Sequence, residues 1–270
     1  AGARNLDDLL APELLDPRIR KLIERTGAFL DKAYPVDLRA LRATPLPPGS
    51  LAYFAHAQKV AESFGLDSIE ILVSPSVGMN VVPLSSLPAR LLIGPDLLKS
   101  SDDAVRFALL IRALKVLAVQ APVIARTSPV ELVPLFGGLI SSLVPDGALQ
   151  PGVDARKAKD ASERIGPVLA PELIEELAPL AREIAPLVST RSSQIGTAVL
   201  QWASRTALLA AGDLHTLLTA VSRAAGGATQ LPPAGPERLR FIVRNAEARD
   251  VSIFSVSDHY AEARKRLELA

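Results

Sequence analysis

One segment constrains the fold more than any other: residues 103–120 have the pattern of a long apolar helix that directly follows several short strands. Serines and aspartates at 100–103 offer N-caps for this helix. The strands are indicated by β-branched and apolar residues between turn signals. We therefore predict an α+β, mainly α-helical fold in which a small antiparallel sheet packs on the long central helix. The three predicted strands cover residues 69–73, 80–82 and 90–93.

The rest of the chain reads as helices separated by prolines and glycines. Residues 43–49 are predicted to form a linker and residues 224–236 a surface loop or hinge. We expect one domain over residues 1–270, since no repeat of 20 to 50 residues indicates a solenoid. Its parts are N-terminal helices (1–48), the sheet and central helix (49–125) and a helical remainder (126–270). Later helices are predicted at 129–143, 154–165, 171–187, 193–222, 236–248 and 257–268.

Composition excludes several classes of function. Lysine and arginine number 30 against 29 acidic residues, so the charge gives no reason to expect nucleic acid as the partner. Only 4% of residues are aromatic, which argues against platforms that stack bases. The chain has no cysteine, which excludes disulfides and thiolate chemistry and fits a cytoplasmic location.

We expect no signal peptide at the start of the sequence, because Asp7, Asp8 and Glu13 interrupt any apolar run there. The most membrane-like stretch, 107–125, contains Arg112, Lys115 and Pro122, so a buried helix is expected rather than a membrane span. The single methionine is Met79, and we expect the chain to be a fragment of a longer protein. Oligomeric state is not indicated by any pattern.

Motifs for catalysis are missing from the sequence. The three histidines, at 56, 215 and 259, lack the i, i+4 spacing of a zinc pair and are predicted to lie on the surface. No Gly-x-Ser-x-Gly elbow and no phosphate-binding glycine loop occurs. We therefore predict a protein that is not an enzyme and has no catalytic residue, no metal and no cofactor.

Two cations interrupt the apolar helix 103–120. Arg112 and Lys115 either extend to the surface or lie partly buried, and a buried arginine needs an acidic partner. Asp213 is the predicted partner of Arg112 in a structural ion pair. An alternative is an enzyme of unrecognised chemistry that uses a polar cluster of Arg112, Asp213 and His215.

Residues 69–117 resemble the gluzincin metallopeptidases, in which strands are followed by a helix that carries the zinc-binding motif. The corresponding pieces here are Asn80-Val81, Leu91 to Ile93, Gly94 to Leu98 and the helix from Asp103. The resemblance implies that every metal and base position has been lost. The residues at these positions are Arg112, Ala113, Val116, Leu200 and Ser204.

The chain is also similar to degenerate C-terminal domains of tetratricopeptide-repeat proteins from myxobacteria and relatives. The similar segments include Tyr34 to Leu38, Phe107 to Arg112, Trp202 and Phe254 to Tyr260. This resemblance implies a non-catalytic, pseudo-metallopeptidase module for protein–protein interaction or scaffolding, in which C-terminal helices close the former active-site face.

Two ways of serving such a role are open. The edge of the sheet could accept an extended peptide by strand addition, with contacts at Asn80, Val81, Val82 and Pro83. Alternatively, an apolar N-terminal face over residues 6–30 would make the module a structural cap of a helical-repeat array. An unidentified protein partner is expected, without nucleic acid and without membrane insertion.

Overall fold

Helices dominate the structure, a computed structural model that describes residues 5–145, 152–226 and 231–269. The fold is α+β and mainly helical. Within the described residues there are thirteen α-helices and four strands. The helices are α1 (Leu6–Leu10), α2 (Pro17–Ala33), α3 (Leu51–Glu62), α4 (Pro95–Lys99), α5 (Asp103–Ala118), α6 (Pro122–Arg126), α7 (Pro129–Leu143), α8 (Ala155–Ile165), α9 (Pro171–Ala211), α10 (Leu214–Ala224), α11 (Pro236–Arg244), α12 (Ala246–Phe254) and α13 (Asp258–Arg266).

The sheet has four strands in the order β1-β2-β4-β3, where β1 is Thr44–Pro45, β2 is Ile69–Val73, β3 is Val81–Ser86 and β4 is Ala89–Ile93. β3 and β4 form an antiparallel hairpin, but β4 lies parallel to β2. The prediction of an antiparallel sheet is therefore wrong in this pairing. The hairpin turns back so that its second strand inserts beside β2, and residues 74–88, which include β3, form the connection between these two parallel strands.

Helix α5 is the predicted helix that follows the strands, and the sheet packs on it. Asp102 caps its N-terminus by accepting a hydrogen bond from the amide of Val105 at 3.1 Å. Ten consecutive residues, 108–117, are buried, because α5 contacts β3 and β4 as well as helices α9 and α10. Such all-round burial explains its nearly continuous apolar sequence.

The predicted helices differ from the observed ones mainly in their ends. α9 runs without a break through Pro179 and Pro186, although the sequence predicts two helices there. The predicted helix 193–222 instead ends at Gly212, whose φ of 68° suits a left-handed C-cap, and α10 then begins. Asn245 divides the predicted helix 236–248 into α11 and α12. In the predicted loop 224–236, residues 227–230 lie outside the described residues.

Buried apolar side chains form one large cluster that reaches from Leu9 in α1 to Ala263 in α13. A smaller cluster, which includes Leu72, Leu84 and Leu92 of the sheet, is covered by side chains of residues 36–43. The helices in the described parts of the chain fall short of the combined length and apolarity that crossing a membrane requires.

Candidate functional site

The first candidate site surrounds Arg112, which α5 places in the core with only 8% of its surface exposed. Its guanidinium binds Glu247 through two hydrogen bonds, Nε to Oε1 at 2.6 Å and Nη2 to Oε2 at 2.8 Å. Nε also lies 3.1 Å from the hydroxyl of Ser204, which donates a hydrogen bond to Glu247. One residue each from α5, α9 and α12 thus forms a closed polar cluster, with the forked geometry that makes arginine–carboxylate pairs strong.

Asp213 is not the partner of Arg112, so the predicted ion pair is wrong. Asp213 is exposed and caps α10, where it accepts hydrogen bonds from the amides of His215 at 3.3 Å and Thr216 at 2.7 Å. A hydrogen bond from the Thr216 side chain is the largest cause of the lowered pKa of Asp213. Since Arg112 is engaged by Glu247, the proposed polar cluster of Arg112, Asp213 and His215 does not form.

Three of the positions that the resemblance relates to the zinc site carry apolar side chains. Ala113 and Val116 are buried in the main core, and Leu200 is partly buried against it. None of the three has an atom that can bind a metal. Among the described residues, no group of three or more acidic, histidine or cysteine side chains is arranged to hold a metal ion. Ser204 is the one polar member of this set besides Arg112, and it is bonded to Glu247.

A second ion pair joins α9 to α12. Arg205 of α9 binds Asp250 of α12 through Nε at 2.9 Å and Nη2 at 2.7 Å, and its guanidinium lies 4.8 Å from the ring centre of Phe254. Sequence reasoning missed both acids of α12. Their spacing was the available signal, because Glu247 and Asp250 are three residues apart and therefore share one helix face.

Lys115 is the second buried cation of α5. Only 6% of its surface is exposed, so its side chain does not extend to the surface, which was one of the two alternatives that the sequence allowed. Its Nζ lies 2.5 Å from Oδ1 of Asp7 and 4.2 Å from the ring centre of Trp202. Burial lowers the pKa of Lys115, and the nearby carboxylate of Asp7 partly opposes that effect. The pair fastens the short helix α1 to α5 and α9.

The edge of the sheet is where a peptide strand was expected to add. β3 is indeed an edge strand, and Val82 pairs with Leu92 on its inner side. The amide of Val81 is bonded to the side chain of Asn80 at 2.8 Å, and Pro83 has no amide hydrogen. The first half of the edge therefore offers few free donors to an added strand.

The second half of the same edge is occupied by side chains of α2 and α6. Asp31 accepts a hydrogen bond from the amide of Ser86 at 2.7 Å, and Arg126 donates one to the carbonyl of Leu84 at 2.6 Å. Burial raises the pKa of Asp31, while that amide and Arg126 partly counteract the effect. An incoming strand would have to displace these partners, as is common where proteins protect sheet edges.

Exposed apolar side chains are concentrated near the C-terminus instead. Of the eight large apolar residues that are exposed in the described chain, only Leu87 and Val130 lie elsewhere. We call the other six the C-terminal patch. It consists of Leu239, Val243, Ile253, Val256, Leu267 and Leu269.

One member of the C-terminal patch, Ile253, lines an open groove of about 720 Å³. Ile253 and His259 line the groove on the side of α12 and α13, and Pro12, Asp16 and Arg20 line it on the N-terminal side. All three histidines of the chain, including His259, are exposed, as predicted. Apolar, acidic and basic groups all line this open groove, so it offers a surface for contact rather than a closed, dry reaction chamber.

Comparison of the chain with protein-family models, with curated proteins and with solved structures finds no match.

Proposed function

We propose that the chain is a non-catalytic protein-docking module that binds a partner protein through the C-terminal patch. The observation that carries this proposal is the clustering of six exposed large apolar side chains within residues 239–269. Leu239 and Val243 lie four residues apart on α11 and share one face, and exposed apolar surface of this kind marks interaction sites, whereas scattered single residues do not. The resemblance to degenerate metallopeptidase-like domains of tetratricopeptide-repeat proteins supports the same role, in the cytoplasm.

The chemistry around Arg112 supports the non-catalytic part of the proposal. A guanidinium stays charged at all accessible pH values and repels a second cation. Glu247, the acid closest to it, is held by two hydrogen bonds from Arg112 and one from Ser204. A general base needs a free lone pair directed at a substrate, and this carboxylate is engaged inside the fold.

Other surfaces support docking less well. At residues 80–83 the amide of Val81 is bonded to the Asn80 side chain and Pro83 has no amide hydrogen, so strand addition there has little support. The apolar side chains of residues 6–30 face inward, including Leu10, Ile19 and Leu22. Because no exposed large apolar residue lies in that segment of the described chain, the structural-cap alternative also has little support.

Affinity capture with matched variants tests the proposal. The wild-type chain, a patch variant (Leu239→Ser with Val243→Ser) and a control (Leu87→Ser with Val130→Ser) would be used as bait in extracts of the native cells. Both variants replace two exposed apolar residues with serine, so their effects on stability and solubility should be similar.

We expect at least one stoichiometric partner protein to be retained by the wild type and the control and lost by the patch variant. Equal retention by all three baits, or loss with the control alone, would place docking elsewhere. Chelator-sensitive peptidase activity of the purified chain would refute the non-catalytic role.

A further inference from the structure

Helix α11 is the most exposed helical part of the C-terminal patch. None of its nine residues is fully buried, and it packs mainly against α12. Phe241 and Ile242 are partly buried against the core. Leu239 and Val243 point outward with 62% and 54% exposure, and they are four residues apart, so they form one apolar stripe along the helix.

A basic stripe runs beside the apolar one. Arg240 and Arg244 are also four residues apart, both are exposed, and neither forms an ion pair with any residue that the structure describes. Arg249 of α12 adds a third exposed guanidinium, which donates a hydrogen bond to the carbonyl of Val243 at 3.3 Å. Apolar and cationic stripes therefore lie next to each other on a single short surface.

The positive charge of this surface follows from the buried pairs. α12 turns both of its aspartate and glutamate side chains inward, since Glu247 binds Arg112 and Asp250 binds Arg205. Glu237 is the single acid of α11. The exposed surface of α11 and α12 consequently carries three arginines, Arg240, Arg244 and Arg249, against the one exposed acid Glu237.

We propose that α11 is the docking site of an acidic amphipathic helix from a partner protein, an inference that rests on the proposed docking function. Leucines or similar residues of that helix would cover Leu239 and Val243, and flanking glutamates or aspartates would meet Arg240 and Arg244. A second copy of this chain fits poorly, because two α11 helices would bring like charges together. A membrane fits poorly too, because Phe241 and Ile242 face the core and leave an apolar stripe only one side chain wide.

The test uses designed peptides and the full chain. The first probe is a fluorescein-labelled helix of about 18 residues with a leucine stripe flanked by glutamates. The second has lysines in place of the glutamates, and a third arm uses vesicles of phosphatidylserine and phosphatidylcholine. Fluorescence anisotropy measures peptide binding, and flotation measures vesicle binding.

Charge-reversed variants make the test specific. The Arg240→Glu/Arg244→Glu variant should bind the glutamate-flanked peptide about tenfold or more weakly than the wild type, and should bind the lysine-flanked peptide more tightly than the wild type does. The matched control is Arg182→Glu/Arg191→Glu, which reverses two exposed arginines of α9. It should behave as the wild type, and circular dichroism should report the same fold for all three proteins.

Three outcomes would overturn the inference: no binding of the glutamate-flanked peptide, equal binding of both peptides, or vesicle binding that depends on Arg240 and Arg244. Each leaves the capture experiment unchanged, because that experiment reports loss of a native partner when Leu239 and Val243 are replaced. The docking function fails only if the patch variant keeps every partner, so the two failures are distinguishable.

Discussion

Single buried charges hold the C-terminal helices in place. Arg112 and Arg205 lie on the long helices of the core, and their acids, Glu247 and Asp250, both come from α12. A buried guanidinium without its acid is costly, whereas an apolar pair of similar volume can replace both partners at little cost. These two pairs therefore fix where α12 docks more than they add to stability.

Removing Glu247 alone tests this view of the pair. Glu247→Ala leaves Arg112 buried without a carboxylate, and we expect it to lower the free energy of unfolding by about 3–5 kcal/mol. Urea unfolding followed by circular dichroism measures the change. Glu262→Ala, which breaks an exposed pair with Arg266 on α13, serves as control and should leave the transition unchanged.

The double variant Arg112→Met/Glu247→Leu completes that comparison. It removes both charges and retains much of their volume, so it should be more stable than Glu247→Ala alone. A double variant as unstable as the single one would show that packing around α12, and not the unpaired charge, accounts for the loss.

Lys115 should give a measurable pH dependence. Burial lowers its folded pKa below the ordinary value of 10.5, so between these two values the unfolded chain binds more protons than the folded one. Stability attributable to this residue therefore rises as pH increases through that window. The free energy of unfolding of the wild type minus that of Lys115→Met should therefore increase between pH 7 and pH 11. A difference that is flat or that moves the other way would contradict the assignment.

The apolar sequence of α5 allows Arg112 to be either buried or extended to the surface. It does not indicate which acid pairs with Arg112. Asp213 and Glu247 are both more than 100 residues from Arg112, and sequence gives no distance between them. Asp213 precedes the first turn of α10, where N-capping competes for its oxygens. The sequence predicts one helix over 236–248 where the structure has α11 and α12, and this hides the face that Glu247 shares with Asp250.

Among the elements of the fold, those with strong local signals were predicted best. α7 occupies its predicted residues, and Gly138 lets it pack closely on α8, since a Cβ there would lie 2.5 Å from the Cβ of Ala161. β1 was missed because it has two residues and lies in a proline-rich segment that predicts a linker. The parallel pairing of β2 with β4 depends on how a hairpin docks, which local patterns do not encode.

A glycine in α2 provides a test of packing between elements. A Cβ on Gly27 would lie 1.7 Å from the carbonyl oxygen of Gln120, where α5 turns into α6. Because that atom belongs to the backbone, Gly27→Ala should force a shift and cost about 1–3 kcal/mol in urea unfolding.

Gly49→Ala is the matched control for this substitution. Its Cβ would meet no atom within 4 Å, so we expect it to be neutral or to stabilise by up to about 1 kcal/mol. Similar losses in both variants would mean that the tight approach of α2 to Gln120 is not what limits stability.

Across the molecule, the two ends of the described chain meet. α1 packs on α13, Asp7 reaches Lys115, and α12 closes over α9. α10 also packs on α5, and Glu247 of α12 binds Arg112 of α5, so helices from the C-terminal part of the chain cover the central helix. Sequence alone does not separate a charge that is paired inside the fold, such as Arg112, from one that stays exposed, such as Arg240, because composition does not record which acid lies beside it.

Removing the closing helices should therefore disrupt the whole fold. A chain that ends at Arg244 lacks Glu247 and Asp250 and leaves Arg112 and Arg205 without acids. We expect it to lose the cooperative thermal transition seen by calorimetry. A chain shortened only by residues 267–270 should keep it. If the chain that ends at Arg244 still unfolds cooperatively, α12 and α13 are not required for the core to fold.

Site-specific photocrosslinking in the native cells tests the docking role most directly. A benzophenone amino acid would be placed at position 239 in the C-terminal patch or at position 130 on α7, both of which are exposed. The account predicts a discrete crosslink to another protein from position 239, absent from position 130 and abolished by Arg240→Glu/Arg244→Glu. Crosslinks from position 130 alone, or from both positions alike, would contradict it.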